Sequence, residues 1–298
     1  MLVLKGHRGR VRSLSFSADG GLLASAAGHG KAVSLWDLNR QGKRSFLSGH
    51  QERVTTVAFA PTGRLLASRD GWGVALLWDV AQRREWPHSL GRIFAHFGLA
   101  FSPDGRRLVM SENRMYSYEV KHLDLAGGNV SELWVQSGEQ PKVTPGRGLA
   151  FSPAGDALAV NDPDHCVHLW GLAPVQLRHR LAHTKTVNAL AFSADGRTLA
   201  VATGLVVRLW NTTTGEALAT LKGHTRVVTG LAFTPDGRLL ASASTDGQVK
   251  LWDVAAARER AAFDWQVGPV TALALAPDGM RGACGGLEGA VAVWDLDL

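Results

Sequence analysis

A repeat with a period of about 42 residues constrains this chain more than any other feature of its sequence. A five-residue segment, made of an apolar residue, a small residue and a turn that closes on Gly, occurs seven times. The copies begin at Phe16, Phe59, Phe101, Phe151, Phe192, Phe233 and Leu275. A second marker follows each copy after 18 to 22 residues, and its first residues are Trp36, Trp78, Leu123, Trp170, Trp210, Trp252 and Trp294. Two markers in step through seven copies indicate a repeat architecture.

Each repeat predicts four strands. Residues 227–233 form an apolar run that ends at the turn 234–237, where Pro and Asp-Gly favour tight-turn geometry. Residues 239–244 resume the strand, and 248–252 alternate polar and apolar side chains as a half-buried strand does. A further segment such as 217–221 completes a four-stranded sheet. Four strands in about 42 residues are typical of one blade of a β-propeller.

With these markers, the chain resembles the WD-repeat family over nearly its whole length. The resemblance is carried by Gly6-His7, Gly49-His50 and Gly223-His224, by the Pro-Asp-Gly turns and by the Trp-Asp pairs. It implies an all-β, seven-bladed propeller of four-stranded antiparallel blades. It also implies a protein-interaction scaffold, since WD-repeat domains are mostly adaptors.

The two ends of the chain predict how the ring closes. The last unit stops at its third strand, near Trp294-Asp295, and the segment up to His7 matches the end of a fourth strand such as 220–224. We therefore expect residues 2–4 to pair with blade seven and leave no open sheet edge. We also expect one domain over residues 1–298.

In the family, each blade contains a buried hydrogen-bond chain of His, Ser or Thr, Asp and Trp. The resemblance implies this chain in blade six, as His224, Ser242, Asp246 and Trp252. The other blades depart from it. In blade two Trp72 stands where the Asp is expected, blade one has Gly28-His29 there, and blade five lacks it. Blade four retains Asp164, and blade seven offers Glu288. Because the set recurs with the repeat, we interpret it as structural and not catalytic.

The charge of the chain favours an acidic partner. The formal net charge is +6, and arginine is the more abundant base, a bias typical of GC-rich bacterial genomes. Nucleic-acid binding through the scattered arginines is the alternative. The basic residues form no run, and aromatic residues do not alternate with them as stacking platforms require.

Several other function classes find no support in the residues. No apolar run reaches the ~20 residues of a membrane span, and no signal peptide is recognisable, so we expect a cytoplasmic protein. The cluster of Asp162, Cys166 and two histidines does not converge on one metal ion if it lies on a strand. No Gly-rich phosphate loop or nucleophile elbow occurs, so we expect no cofactor and no metal. Cys166 and Cys284 fall in distant blades and are predicted to be buried free thiols.

Residues that break the repeat are the candidates for partner binding. Trp72 and Trp265 stand in loops where small or polar residues are expected, on the face that WD-repeat proteins use for partners. Four arginines, each just before a first strand, accompany them: Arg10, Arg53, Arg147 and Arg226. Exposed Trp and Arg have the composition of binding hot spots. They could equally cap blade ends or be solvated.

Blade three is the longest repeat, with a loop over residues 136–146 that serves recognition or reflects drift in a degenerate blade. We expect the chain to act as a monomer or in a hetero-complex, as the docking part of a larger signalling protein or complex. An enzyme in the central channel is disfavoured, because the innermost strands lack recurring acids or metal ligands.

Overall fold

The structure, a computed structural model, describes residues 1–86, 98–114, 117–137, 148–162 and 165–296. Within these residues the chain forms 28 strands in seven four-stranded sheets. The only helix in the described ranges is a single turn of 3₁₀ helix, Leu38–Arg40, which Asp37 caps. The predicted all-β, seven-bladed architecture is confirmed.

The strands follow the repeat in chain order. Strand β1 is Leu2–Leu4. Blade one contains β2 (Val11–Phe16), β3 (Leu22–Ala27), β4 (Ala32–Asp37) and β5 (Lys43–Ser48). Blade two contains β6 (Val54–Phe59), β7 (Leu65–Asp70), β8 (Ala75–Asp79) and β9 (Arg84–Glu85). Blade three contains β10 (Leu99–Phe101), β11 (Arg107–Arg114), β12 (Ser117–Asp124) and β13 (Val130–Ser137).

Blades four to seven continue the same order. Blade four contains β14 (Leu149–Phe151), β15 (Ala157–Asn161), β16 (Cys166–Leu172) and β17 (Val175–Ala182). Blade five contains β18 (Val187–Phe192), β19 (Thr198–Thr203), β20 (Val206–Asn211) and β21 (Ala217–Lys222). Blade six contains β22 (Val228–Phe233), β23 (Leu239–Ser244), β24 (Gln248–Asp253) and β25 (Arg258–Asp264). Blade seven contains β26 (Val270–Leu275), β27 (Arg281–Gly286) and β28 (Val291–Asp295).

Strand β1 completes blade seven, as predicted. It pairs antiparallel with β28, with Leu2 opposite Val293 and Leu4 opposite Val291. The two ends of the described chain therefore share one sheet. The sheet order β1-β28-β27-β26 closes the ring of blades.

The core lies between neighbouring sheets. Five first strands begin with a fully buried valine: Val11, Val54, Val187, Val228 and Val270. Val11 packs against Gly285 of blade seven, where a Cβ atom would collide with the valine side chain. Each sheet thus buries its faces against the next blade, so that the fold is stable only as a stack of neighbours.

The turns between first and second strands form a second ring of contacts. All seven contain a glycine with φ between 66° and 74°, a conformation that other residues rarely adopt: Gly20, Gly63, Gly105, Gly155, Gly196, Gly237 and Gly279. Gly20 lies against Asp278 of blade seven, and Gly279 lies against Pro235 of blade six. The turn residues therefore fix both the hairpin and the spacing between blades.

Candidate functional site

The face of the propeller that carries the candidate residues, here the loop face, surrounds one mouth of the central channel. It is built from the loops that precede the first strands and from the turns between second and third strands. The channel cavity, about 190 Å³, is lined by first-strand and adjoining residues of all seven blades, among them Arg12, Thr55, Gly98, Gly148, Asn188, Thr229 and Thr271.

Blade six contains the four side chains named from the family resemblance within hydrogen-bonding distance. Nδ1 of His224 is 2.8 Å from Oδ2 of Asp246, and Nε2 is 2.8 Å from the Ser242 hydroxyl. The indole N–H of Trp252 donates to the same hydroxyl at 2.8 Å. Burial lowers the pKa of His224, which keeps the imidazole neutral and lets it both donate and accept. Each nitrogen and oxygen atom named here therefore has a hydrogen-bond partner, which a buried site of low dielectric constant requires.

Blade two has the same hydrogen-bond network as blade six, but its carboxylate comes from another position of the turn. The expectation that Trp72 leaves this blade without an Asp is wrong. Asp70, two residues earlier, places Oδ2 3.1 Å from Nδ1 of His50, while Ser68 bonds His50 and Trp78 at 2.7 Å. The other oxygen of Asp70 accepts the backbone N–H groups of Trp72 and Val74 at 3.0 Å. One carboxylate therefore both caps the turn and completes the network.

Blade one uses a cation where the family uses an acid. Arg44 places NH2 3.1 Å from Nδ1 of His7 and donates through NH1 to the carbonyl of Gly6 at 2.8 Å. A guanidinium can only donate, so Nδ1 of His7 accepts and Nε2 carries the proton toward Ser25, 2.7 Å away. The order of donors is thus reversed relative to blade six. Burial and the Arg44 charge lower the pKa of His7 to about 4.

Blade five keeps the histidine without its partners. Val201 occupies the strand position that Ser242 holds in blade six, since both pair two residues from the blade tryptophan. His183 packs edge-on against Trp210 with ring centroids 5.4 Å apart, and neither nitrogen of its ring has a hydrogen-bond partner among the described residues. Burial, with a smaller contribution from Arg208, lowers the pKa of His183 to about 4.

The lowered pKa values of His7 and His183 predict that the folded protein loses stability in acid. Both take up a proton in the unfolded chain near pH 6.5 but in the folded chain only near pH 4. Their contribution is therefore fully present above pH 6.5 and is lost as the pH falls toward 4. We expect His183→Phe to leave the unfolding temperature at pH 7 unchanged or higher, because it removes two buried unpaired nitrogens, and to reduce its fall between pH 7 and pH 5.

Calorimetry at the two pH values measures this effect. His29→Phe, at an exposed turn residue, is the matched control and should retain the full acid sensitivity of the natural chain. An equal fall in the His183→Phe variant and in the natural chain would contradict the assignment.

Trp265 has a packing role that differs from the one expected. Its ring is stacked between Phe263, at a centroid distance of 5.3 Å, and Trp294, at 4.9 Å. It directly follows β25 and contacts the blade-seven tryptophan, much as His224 contacts Trp252 in blade six. Trp265 is therefore half-buried where an exposed side chain was expected, because the stack covers both faces of its ring, and its part in partner binding stays a prediction.

Trp72, in contrast, lies at the tip of the β7–β8 turn with 58% of its surface exposed. Arg53 lies beside it: the backbone N–H of Gly71 donates to the carbonyl of Arg53 at 2.8 Å, and the Arg53 side chain lines the space next to the Gly71 Cα. The structure thus brings two of the predicted residues together.

Arg10 is connected to the segment of Arg53 through the β3–β4 turn of blade one. The N–H of Gly28 donates to the carbonyl of Arg10 at 2.7 Å, and Gly30 accepts from the N–H of Val54, next to Arg53, at 2.9 Å. Arg12 joins them, since burial and then the charges of Arg53 and Arg10 lower its pKa. Arg10, Arg12 and Arg53 are here called the arginine cluster.

Sequence reasoning missed Arg12 although the sequence contained a signal for it. Arg12 is the residue at the bulge between β2 and β3, and four other blades have an equivalent register shift. The residues at those bulges are uncharged: Thr55, Asn188, Thr229 and Thr271. A charge at this repeat position, inside the channel lining, marks blade one as different.

Other loops of the loop face also expose apolar and basic side chains. Besides Trp72, three large apolar side chains are exposed in the loops of this face that the structure describes: Leu205, Val227 and Leu287. Within the described part of these loops, the exposed charged side chains are Lys5, Arg8, Lys31, Arg53, Lys185, Arg226 and Glu288. The loop face therefore combines apolar tips with an excess of exposed basic groups.

The remaining candidates are separate from the arginine cluster or lie outside the described residues. Arg226 is exposed in blade six next to Val227, and Glu288 is exposed on blade seven. Arg147, Asp164 and most of the blade-three loop fall outside the described residues. In blade four the carboxylate that binds a histidine is Asp162, whose Oδ2 is 2.8 Å from Nε2 of His168.

The cysteines and the metal-ligating side chains form no further site within the described residues. Cys166 and Cys284 are buried free thiols, as predicted, and burial raises the pKa of Cys284 to about 12. Within the described ranges, no three His, Cys, Asp or Glu side chains are placed to hold a metal ion. No helix in those ranges is long and apolar enough to span a membrane.

A match to a known family model shows the family of this chain. The model described as "WD domain, G-beta repeat" matches residues 1–37, 42–79, 175–211 and 215–253, a little over half of the chain. The chain belongs to the WD40 family. Propellers of this family are commonly protein-interaction scaffolds and generally lack catalysis. A search of curated proteins found no match.

The WD40 matches agree with the geometry of the blades. Each matched stretch begins at the outer strand of one blade and ends with the third strand of the next, as 42–79 runs from β5 to β8. The stretches end in blades one, two, five and six. In each of these four blades a loop-face histidine packs against the blade tryptophan, as His50 does on Trp78.

Proposed function

We propose that this WD40 propeller is a docking scaffold that binds an acidic protein or peptide segment across its loop face. The observation that carries the proposal is the exposed Trp72 beside Arg53 and the rest of the arginine cluster. Trp and Arg are the residue types most enriched among interface hot spots. Carboxylates of a partner would meet the guanidinium groups, while its apolar side chains would cover Trp72 and the neighbouring tips.

The hydrogen-bonded backbone around Trp72 and Arg53 supports tight binding. Trp72 lies in a turn held by two hydrogen bonds to Asp70, and the loop before β6 is tied to blade one through the Gly30–Val54 bond. A contact surface that is already ordered loses little conformational entropy on association. This proposal treats residues 1–298 as one non-catalytic docking domain in the cytoplasm, acting as a monomer or in a hetero-complex.

The test uses peptides selected from a random displayed library on the natural protein. We expect the selected peptides to be rich in Asp and Glu around an apolar residue. For such a peptide, Trp72→Ala/Arg53→Ala should weaken binding about 100-fold, or about 3 kcal/mol, in isothermal calorimetry. The matched control is Phe46→Ala/Arg84→Ala on the outer strands, where Phe46 is 52% exposed.

Two results would reject the proposal. One is equal affinity of the selected peptides for the natural protein and for the loop-face variant. The other is selection of peptides without acidic residues. Oligonucleotides test the nucleic-acid alternative: binding that weakens steeply with salt, and that competes with the peptide, would favour nucleic acid.

A further inference from the structure

Grooves between neighbouring blades open on the face opposite the loop face, here the turn face. Three such grooves are described, between blades one and two, four and five, and six and seven. Their cavities measure about 410, 670 and 850 Å³ respectively. The repeat makes them equivalent in construction, so their side chains can be compared directly.

Two of the grooves have acids and bases in equal or nearly equal number. The groove between blades four and five has Asp156 and Asp195 against Arg178 and Arg197. The groove between blades six and seven has three acids and two bases, namely Asp236, Asp253, Asp278, Arg238 and Arg260. These opposite charges supply each other's counterions.

The groove between blades one and two, here the basic groove, is different. It is lined by five bases and a single acid: Arg40, Lys43, Arg44, Arg64, Arg83 and Asp37. One cause is visible in the turn of blade two. Thr62 stands there in the place of the Asp that the turns of blades five, six and seven provide as Asp195, Asp236 and Asp278.

Internal partners neutralise only part of this charge. Arg40 lies 3.6 Å from Asp37, and the exposed Arg64 lies 3.7 Å from the buried Asp79; both distances are long for ion pairs. Arg44 directs its guanidinium to Gly6, His7 and Ser34. Even with Asp79 included, five bases face two acids.

Lys43 and Arg83 are the free cations of the basic groove. Both are exposed, and neither has an ion pair among the described residues. Between them the groove has an apolar floor, formed in part by the buried side chains of Leu35 and Val80. The groove thus combines unpaired cations with apolar surface in a cavity within the size range of small-molecule sites.

We propose that the basic groove binds an organic phosphate of about the size of a nucleoside phosphate. A phosphate dianion matches two free cations better than a single carboxylate does. Arginine forks and a lysine ammonium are the groups that proteins use to hold phosphate oxygens. The apolar part of the ligand would cover the floor. This site is separate from the loop face, so that its occupancy does not depend on the partner proposed above.

Isothermal calorimetry on the full chain tests this site with phenyl phosphate and ADP as probes. We expect saturable binding of both, no binding of adenosine, and weaker binding of inorganic phosphate than of phenyl phosphate. Lys43→Gln/Arg83→Gln should reduce the affinity for both probes at least tenfold. The matched control is Arg178→Gln/Arg197→Gln in the balanced groove, which should retain the affinity of the natural chain.

The unfolding temperature of each variant shows whether it is folded, and exposed positions such as these should leave it unchanged. The proposal is overturned if neither probe saturates at about 5 mM, a weak-binding limit of roughly 3 kcal/mol. It is also overturned if both double variants lose affinity equally, or if inorganic phosphate binds as tightly as phenyl phosphate.

Discussion

Asp70→Ser is expected to lower the free energy of unfolding by about 3 kcal/mol. The substitution removes the acceptor from a buried histidine, and an unsatisfied buried donor together with a lost charged hydrogen bond costs about this much. Ser at this position still matches blade six, where Ser244 accepts the N–H of Asp246 at 3.1 Å. A Ser hydroxyl replaces the acceptor of the Trp72 N–H but not that of the Val74 N–H, so the loss should arise mainly from His50 and to a smaller extent from the turn.

Adding Trp72→Asp to Asp70→Ser is expected to recover most of the loss. The double variant recreates the order of blade six, in which Asp246 binds both His224 and the N–H of Gln248. Urea denaturation at pH 7 measures the effect. Trp72→Asn alone is the control and should change stability by less than about 1 kcal/mol, because the ring is largely exposed. A double variant no more stable than Asp70→Ser would show that the two positions are not interchangeable.

Leu4→Asp is expected to destabilise the ring by about 4 kcal/mol. Leu4 is only 4% exposed and belongs to the apolar cluster that joins blades seven and one. Replacing it removes its burial and places a carboxylate in an apolar site, and both changes oppose folding. The pairing of β1 with β28 weakens at the same time, which opens the junction between the first and last blades.

Val3→Asp on the same strand is the matched control for Leu4→Asp. Val3 is 38% exposed and points away from that cluster, so its replacement should cost less than about 1 kcal/mol. The midpoint of urea unfolding compares the two variants. Equal stability of both would mean that β1 does not close the ring through the Leu4 side.

Much of the fold could be predicted from the sequence because the propeller repeats it seven times. The segments beginning at Phe16 and Phe233 form the same hairpin in blades one and six, with the same turn glycine conformation. A blade that departs from the repeat pattern does not spoil the prediction of the others, because the remaining copies still define where each strand begins and ends. The ring closure followed from the same logic, since residues 2–7 match the end of a fourth strand and β1 pairs with β28 of blade seven.

The hydrogen-bond networks could be predicted only in part. Alignment by position placed Trp72 where Asp246 lies, yet Asp70 reaches the same histidine from two residues earlier. A carboxylate side chain can approach one histidine nitrogen from either position of a tight turn, so that spacing does not identify the acceptor. Likewise, Arg44 comes from the fourth strand of blade one, which sequence spacing does not connect to His7.

The chain by itself determined seven blades, their strand order and the closing strand, because each depends on local turns and alternating side chains that every repeat carries. Tertiary structure alone decided which tryptophan is exposed, which arginines meet and where charge is left uncompensated. Trp265 stacks on Trp294, Arg10 and Arg12 approach Arg53 of the next blade, and Lys43 shares a groove with Arg83. These outcomes depend on contacts between blades, and distances across a blade boundary are set by packing and not by position in the chain.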